Sequence, residues 1–150
     1  KDHLGVAILG GQSEAITDNL PLPVYSLGYV SDEKRLVDIY NSANVFVLPS
    51  LEDNLPNTIM ESMACGVPCI GFRVGGIPEM IDHKMNGYVA EFKDASDFAA
   101  GLFWVLHEAD HDELRRNAVQ KVQSKYSQTY VSQRYIEVYN QALAIKEFHL

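Results

Sequence analysis

Much of what would mark a specialised class of protein is scarce in this sequence. Only two cysteines, Cys65 and Cys69, occur in 150 residues. Two thiols in a medium-sized chain argue against a disulfide scaffold and for a reducing, cytoplasmic compartment. Positive charge is sparse: 12 Lys and Arg stand against 20 Asp and Glu, a net charge of −8. That balance excludes a basic field for nucleic acid or for an anionic membrane surface. Any phosphate site must then be local, built from backbone amides and a few side chains. No apolar run approaches the ~20 residues of a membrane span. No P-loop, Ser-His-Asp set, internal repeat, linker or low-complexity stretch is present, and no secretory leader is visible. The chain starts at Lys1 and not at a Met, so a natural N-terminus is expected upstream.

What remains is ordinary globular material, 47% hydrophobic and 21% charged, enough for one domain over 1–150 with a proper core. The first half alternates strand and helix signals. Val6-Ala-Ile-Leu9 is a short apolar run closed by Gly10-Gly11, and Val24-Tyr-Ser-Leu27 is ended by Gly28. Residues 12–23 read as a loop or a ragged helix. Ser31 is placed to cap a helix with Asp32 and Glu33 in its first turn and Leu36, Tyr40 and Ala43 as its buried stripe. Val45–Leu48 is a third strand, stopped by Pro49; Cys69–Phe72 and Gly87–Ala90 follow as further strands. The second half is helical. Asp94 or Ser96 begins one helix, Asp110 or Asp112 the next, and a last helix starts near Tyr130. This order predicts an α/β fold: a Rossmann-like, mostly parallel sheet with helices on both faces, followed by C-terminal helices. Such sheets bind ligands at the carboxyl ends of their strands. Gly10-Gly11, Tyr29-Val30, Ser50–Asn57 and Val74–Ile77 all follow strands, so all are expected along one edge.

The most informative stretch is Leu48–Pro68. A helix from about Pro56 to Cys65 is bracketed by Pro56 in its first turn and Gly66 just past its end, with Pro68 beyond. The first N–H groups of a helix lack partners and its macrodipole adds about half a positive charge there, so anions bind. Glu61 lies about five residues in, roughly 7–8 Å along the axis at ~1.5 Å per residue. That is about the distance from a diphosphate to its ribose. Leu55 and Asn57 offer amides, Pro56 has none, and Asn54 and Asn57 can bond sugar hydroxyls. Asp53 lies just before the helix.

At these residues the chain resembles a family. Asp53-Asn-Leu-Pro-Asn-Thr-Ile-Met-Glu61, then Ser-Met-Ala-Cys-Gly-Val-Pro68, Val74-Gly-Gly-Ile-Pro-Glu-Met-Ile81 and Asn86-Gly-Tyr88 are similar to the retaining, family-4 glycosyltransferases of GT-B architecture. Those enzymes carry two Glu separated by seven residues; here Asp53 takes the first place, one methylene shorter, and Glu52 is one position out of register. The resemblance implies a C-terminal, donor-nucleotide-binding domain. It implies transfer of a sugar from a nucleotide diphosphate to an acceptor hydroxyl, in polysaccharide or glycoconjugate synthesis, without a metal or other cofactor. It places Asp53 near the donor sugar as the catalytic candidate, Glu61 on the ribose, Tyr29 and Val30 at the nucleobase with Leu36 packed on it, and Gly10-Gly11 in the donor cleft. It also implies that a first strand-loop bearing an Arg and a Lys, and an N-terminal acceptor-binding domain, belong to the whole enzyme. The last helix would cross back onto that domain and leave Tyr130, Tyr135 and Tyr139 exposed without it. The fragment alone is then expected to bind nucleotide weakly without turnover, at the cytoplasmic face of a membrane if the other domain reaches it.

Other patterns carry less. A sugar-nucleotide epimerase of the same architecture would need acid–base residues that are not identifiable here. A phospho-receiver would need an acidic pair where Gly10-Gly11 stand. His107-Glu-Ala-Asp-His111 matches a zinc-protease pattern, but Asp110 and Asp112 read as caps of a new helix. Cys65 and Cys69 read as buried packing thiols, and Phe98, Phe103, Trp104, Tyr135 and Tyr139 as core at helical spacing. Gly75-Gly76, like Gly10-Gly11, allows a close backbone approach or a positive φ, with a plain turn as the commoner reading; Glu79 reads as an organiser of the loop after it or as a surface acid.

Overall fold

A computed structural model describes residues 4–11 and 20–147 of the chain, with side chains up to residue 144. They form two compact units that divide after Ile39. In the first, β1 (Val6–Leu9) and β2 (Val24–Gly28) run parallel, Val6 opposite Val24, with an irregularity between Ile8 and Leu9. The Gly10 amide donates to the Gly28 carbonyl at 2.9 Å, joining their carboxyl ends. Helix α1 (Glu33–Ser42) follows. Its cap is Asp32, whose carboxylate accepts from the Arg35 amide at 2.7 Å, and not the expected Ser31. A carboxylate one residue closer reaches the third helical amide directly. Most of the 12–23 loop lies outside the described residues.

The second unit contains β3 (Phe46–Leu48), α2 (Asn57–Ala64), β4 (Cys69–Phe72), α3 (Ile77–Met80), β5 (Gly87–Ala90), α4 (Ala95–His107), α5 (His111–Lys125) and α6 (Gln128–Glu147). Its strands are parallel in the order β3-β4-β5, with Phe46, Cys69 and Gly87 in register. Among the described residues the five strands pair as two parallel ladders, one in each unit, where one sheet was expected. The fold class is as read: parallel sheets flanked by helices.

β4 is buried on both faces, which is why it reads as a continuous apolar run. Cys69 points to a cluster with Ile59, Met63, Ile77, Met80, Ile81, Val89 and Ala118. Ile70, one residue on and therefore on the opposite face, joins Val105 and Leu114, with Tyr88, Phe98 and Trp104 packed around them. Ile59 and Met63 are fully buried, each worth about 1.5–3 kcal/mol over exposure. These two residues fix which side of α2 faces inward.

Caps set the helix ends. Asp94 accepts from the Ser96 and Asp97 amides at 2.9 and 3.0 Å, and Asp110 from the Glu113 amide at 3.0 Å. The latter confirms that His107…His111 spans a helix break; the His111 ring instead bonds the Asn44 carbonyl at 2.7 Å. No metal-binding group forms among the described residues. α2 ends in a left-handed Gly66, φ +73°. Its amide and that of Val67 donate to the Met63 and Ser62 carbonyls at 2.9 and 3.0 Å, a double closure that a residue with a Cβ would strain. α6 begins at Gln128, two residues before the expected start. Tyr135, Tyr139 and Phe103 are exposed, not core, whereas Tyr130 is half-buried under the Lys125 ammonium. Phe103 lies on the side of α4 away from the buried Gly101 and Val105, and no described residue of α6 is buried.

Candidate functional site

β3 and β4 run parallel, so the segments following them leave the same edge of their sheet. The β3–α2 loop carries Asp53, Asn54 and Leu55 and delivers the chain to α2; the β4–α3 loop carries Val74, Gly75 and Gly76. The two loops touch through backbone. A Cβ on Gly75 would sit 1.6 Å from the Asp53 carbonyl oxygen, and one on Gly76 2.0 Å from the Asn54 carbonyl oxygen. Gly75-Gly76 is therefore not a plain turn. Its missing side chains let the acidic loop settle against it and fix the position of Asp53.

Pro56, buried, is the residue before α2 and not part of its first turn. Its extended backbone (φ −67°, ψ 118°) starts the helix, and no side chain caps it. Asp53 therefore does not cap α2, and its carboxylate has no partner among the described residues. The amides of Asn57 and Thr58 are likewise unpartnered among the described residues, while that of Ile59 turns back to the Pro56 carbonyl at 3.2 Å. Two open donors and the positive end of the helix dipole stand at one point.

Glu61 lies one turn after Asn57. At ~100° per residue it shares a side of α2 with Asn57 and Cys65, opposite the buried Ile59 and Met63. It is half-buried, neither sealed by hydrophobic neighbours nor free to swing. Its Oε2 accepts a hydrogen bond from the Tyr40 hydroxyl at 3.1 Å. Tyr40 is only 3% exposed and its ring meets Phe46 edge-on at 5.8 Å. Burial first, then the Glu61 charge and hydrogen bond, hold this hydroxyl above the ordinary tyrosine range. Burial, then Glu61, also raises the half-buried Cys65 thiol. Cys69 is fully buried, and its thiol is pushed up to about 12 by that burial. Cys69 is the packing thiol expected, while Cys65 retains solvent contact.

Of the expected site residues, Asp53, Asn54, Leu55, Pro56, Asn57 and Glu61 are brought together in the second unit. Asn54, Leu55 and Asn57 are exposed and Asp53 is half-buried. Gly10, Gly11, Tyr29, Val30 and Leu36 belong to the first unit. There, a Cβ on Gly10 or Gly11 would meet nothing within 4 Å among the described residues, and Tyr29 is 88% exposed. Val30 and Leu36 are half-buried. Sequence reasoning missed Tyr40 as a site residue; it was read as one member of the α1 stripe. No signal in the sequence separates it from core, because a tyrosine on an apolar stripe packs the same way with or without a partner for its hydroxyl.

The family model for glycosyl transferases group 1 matches residues 2–108. The chain belongs to that family. This group 1 glycosyltransferase domain is 30% identical over 111 residues to N-acetyl-alpha-D-glucosaminyl L-malate synthase of Bacillus anthracis, covering 74% of this chain and 28% of that protein. Among solved structures it resembles sucrose-phosphate synthase from Thermosynechococcus elongatus, with TM-score 0.78 and 24% identity over 95% of this chain and 39% of that one. It also resembles Anabaena HepE, solved with UDP-glucose, with TM-score 0.73 and 17% identity over 90% and 40% of the two chains. The fold is that of a GT-B group 1 glycosyltransferase C-terminal domain. The group 1 domain spans about a quarter to two fifths of the length of these three proteins.

Proposed function

We propose that this group 1 glycosyltransferase domain binds the nucleotide-diphosphate sugar donor of a retaining, family-4 type enzyme that moves the sugar to an acceptor hydroxyl. The observation that carries the reading is the uncapped N-terminus of α2 with Glu61 one turn along the same side. A diphosphate accepts from the Asn57 and Thr58 amides and gains from the helix dipole. Glu61 accepts from the vicinal ribose hydroxyls, Asp53 faces the donor sugar, and Asn54, Leu55 and Pro56 shape the loop between them. On the family resemblance alone, Tyr29, Val30, Leu36, Gly10 and Gly11 of the first unit are proposed as donor-binding residues. No metal or other cofactor is assigned to the reaction: charge on the departing diphosphate is met by amides and by basic residues outside this chain. UDP-glucose in the HepE structure supports the donor class, and the name of the Bacillus relative supports a glycoconjugate product. Polysaccharide synthesis at the cytoplasmic face is the wider setting proposed.

The acceptor-binding domain is proposed to cover α6. Tyr135, Ile136, Val138, Tyr139 and Leu143 are each more than half exposed on that helix, and no helix among the described residues is long and apolar enough to cross a membrane.

Titration of the chain with UDP, GDP and ADP in the absence of Mg²⁺ tests the reading. One diphosphate should bind preferentially, and Glu61→Gln should weaken it by roughly tenfold, the size of a charge-assisted hydrogen bond. Asp53→Asn should weaken a sugar nucleotide more than the bare nucleotide. Unchanged affinity in Glu61→Gln, or uptake of phosphate from a small phosphodonor only with Mg²⁺, would overturn it.

A further inference from the structure

We propose that Tyr40 is a positioning residue for ribose recognition, an inference that rests on the ribose role proposed for Glu61. A carboxylate on an exposed helix face samples several rotamers, and ordering one costs entropy at the moment of binding. Glu61 is not in that condition. The Tyr40 hydroxyl holds Oε2 at 3.1 Å, and Tyr40 is itself fixed: 3% exposed and set edge-on against Phe46, the first residue of β3. The sheet therefore orients the ring, the ring orients one carboxylate oxygen, and Oε1 has no partner among the described residues. One oxygen anchored and one open is what a carboxylate needs to accept from a ribose hydroxyl in a single geometry.

The neighbouring groups give Tyr40 no competing task. Besides Glu61, the ionisable groups acting on its hydroxyl are the thiols of Cys69 and Cys65. Cys69 is committed to the Ile59 and Val67 carbonyls at 3.8 and 3.5 Å. The hydroxyl therefore serves Glu61. Phenylalanine at position 40 would fill the same space and leave Glu61 free to rotate.

The test compares wild type, Tyr40→Phe and Glu61→Gln for binding of whichever of UDP, GDP or ADP binds most tightly, alongside its 2′-deoxy and 3′-deoxy forms. Near-UV circular dichroism checks that the core is retained. Tyr40→Phe should weaken the ribonucleotide by roughly three- to tenfold, the size of one hydrogen bond, and scarcely weaken the deoxy forms. The ratio of ribose to deoxyribose affinity then contracts, which loss of packing alone does not produce. If Tyr40→Phe keeps the wild-type ratio while Glu61→Gln collapses it, Tyr40 is a packing residue and the proposal falls while the ribose reading stands. If Glu61→Gln also keeps the wild-type ratio, the ribose reading falls and takes this proposal with it.

Discussion

Cys65 and Cys69 lie four positions apart and look equivalent in the sequence, yet their surroundings separate them. Cys69 is the first residue of a strand buried on both faces, and its thiol is held at about 12 by complete burial. Cys65 is the residue after α2, half-exposed, and raised less far by partial burial and by Glu61. Because the thiolate is the reactive form, a thiol-selective reagent at pH 8 should label one cysteine of the native chain, slowly, and both after denaturation. Mass mapping of the adduct should find Cys65. Native labelling of Cys69 would contradict the packing described. The same contrast separates the acids. Glu61 was legible as a candidate from its offset to the helix start, but its partner Tyr40, 21 positions away, was not. A tyrosine on an apolar stripe reads as core whether or not its hydroxyl has a task.

At the scale of the element, α2 was legible nearly to the residue, because its stops are local. Proline fixes φ where the helix begins and glycine takes the left-handed turn where it ends. What holds the loop before it was not legible. Gly75 and Gly76 abut the Asp53 and Asn54 carbonyls, each from 22 residues further along the chain. Nothing in a Gly pair distinguishes a free turn from a close approach. The Gly76→Ala variant isolates this contact, because Gly76 has ordinary negative φ, −88°, and only the Cβ clash is added. The loop must shift, so the change should cost about 1–3 kcal/mol of stability and lower Tm by several degrees. It should also weaken sugar-nucleotide binding more than binding of the bare nucleotide, because Asp53 moves with the loop. Thermal melts and titrations on that variant check both. An unaltered Tm would show that the loops are not in contact.

For the molecule as a whole, the instructive surface is α6. Aromatic and aliphatic residues at helical spacing suggested core for Tyr135 and Tyr139, and the family resemblance suggested exposure. The structure exposes both, at 61% and 63%. A stripe says that a helix wants a partner without saying where the partner is. If these residues contribute nothing to the core, the double variant Tyr139→Ser, Leu143→Ser should change stability by no more than about 0.5 kcal/mol and should raise solubility. Chemical denaturation and sedimentation measure the two. A loss of several kcal/mol would mean that the stripe is packed within this chain.

The sequence by itself determined the order of strands and helices, the ends of α2, the spacing of Asp53 and Glu61, and membership in a family whose motifs are ordered along the chain. These are local properties: periodicity, backbone restriction and capping act over a few residues and leave a direct trace. The tertiary structure decided which glycines press on a neighbouring carbonyl, which cysteine is sealed, which tyrosine holds the acid and which aromatics stay wet. Each depends on segments far apart in the chain meeting at a distance of a few ångströms, and a single sequence encodes that meeting only through the packing of the entire core.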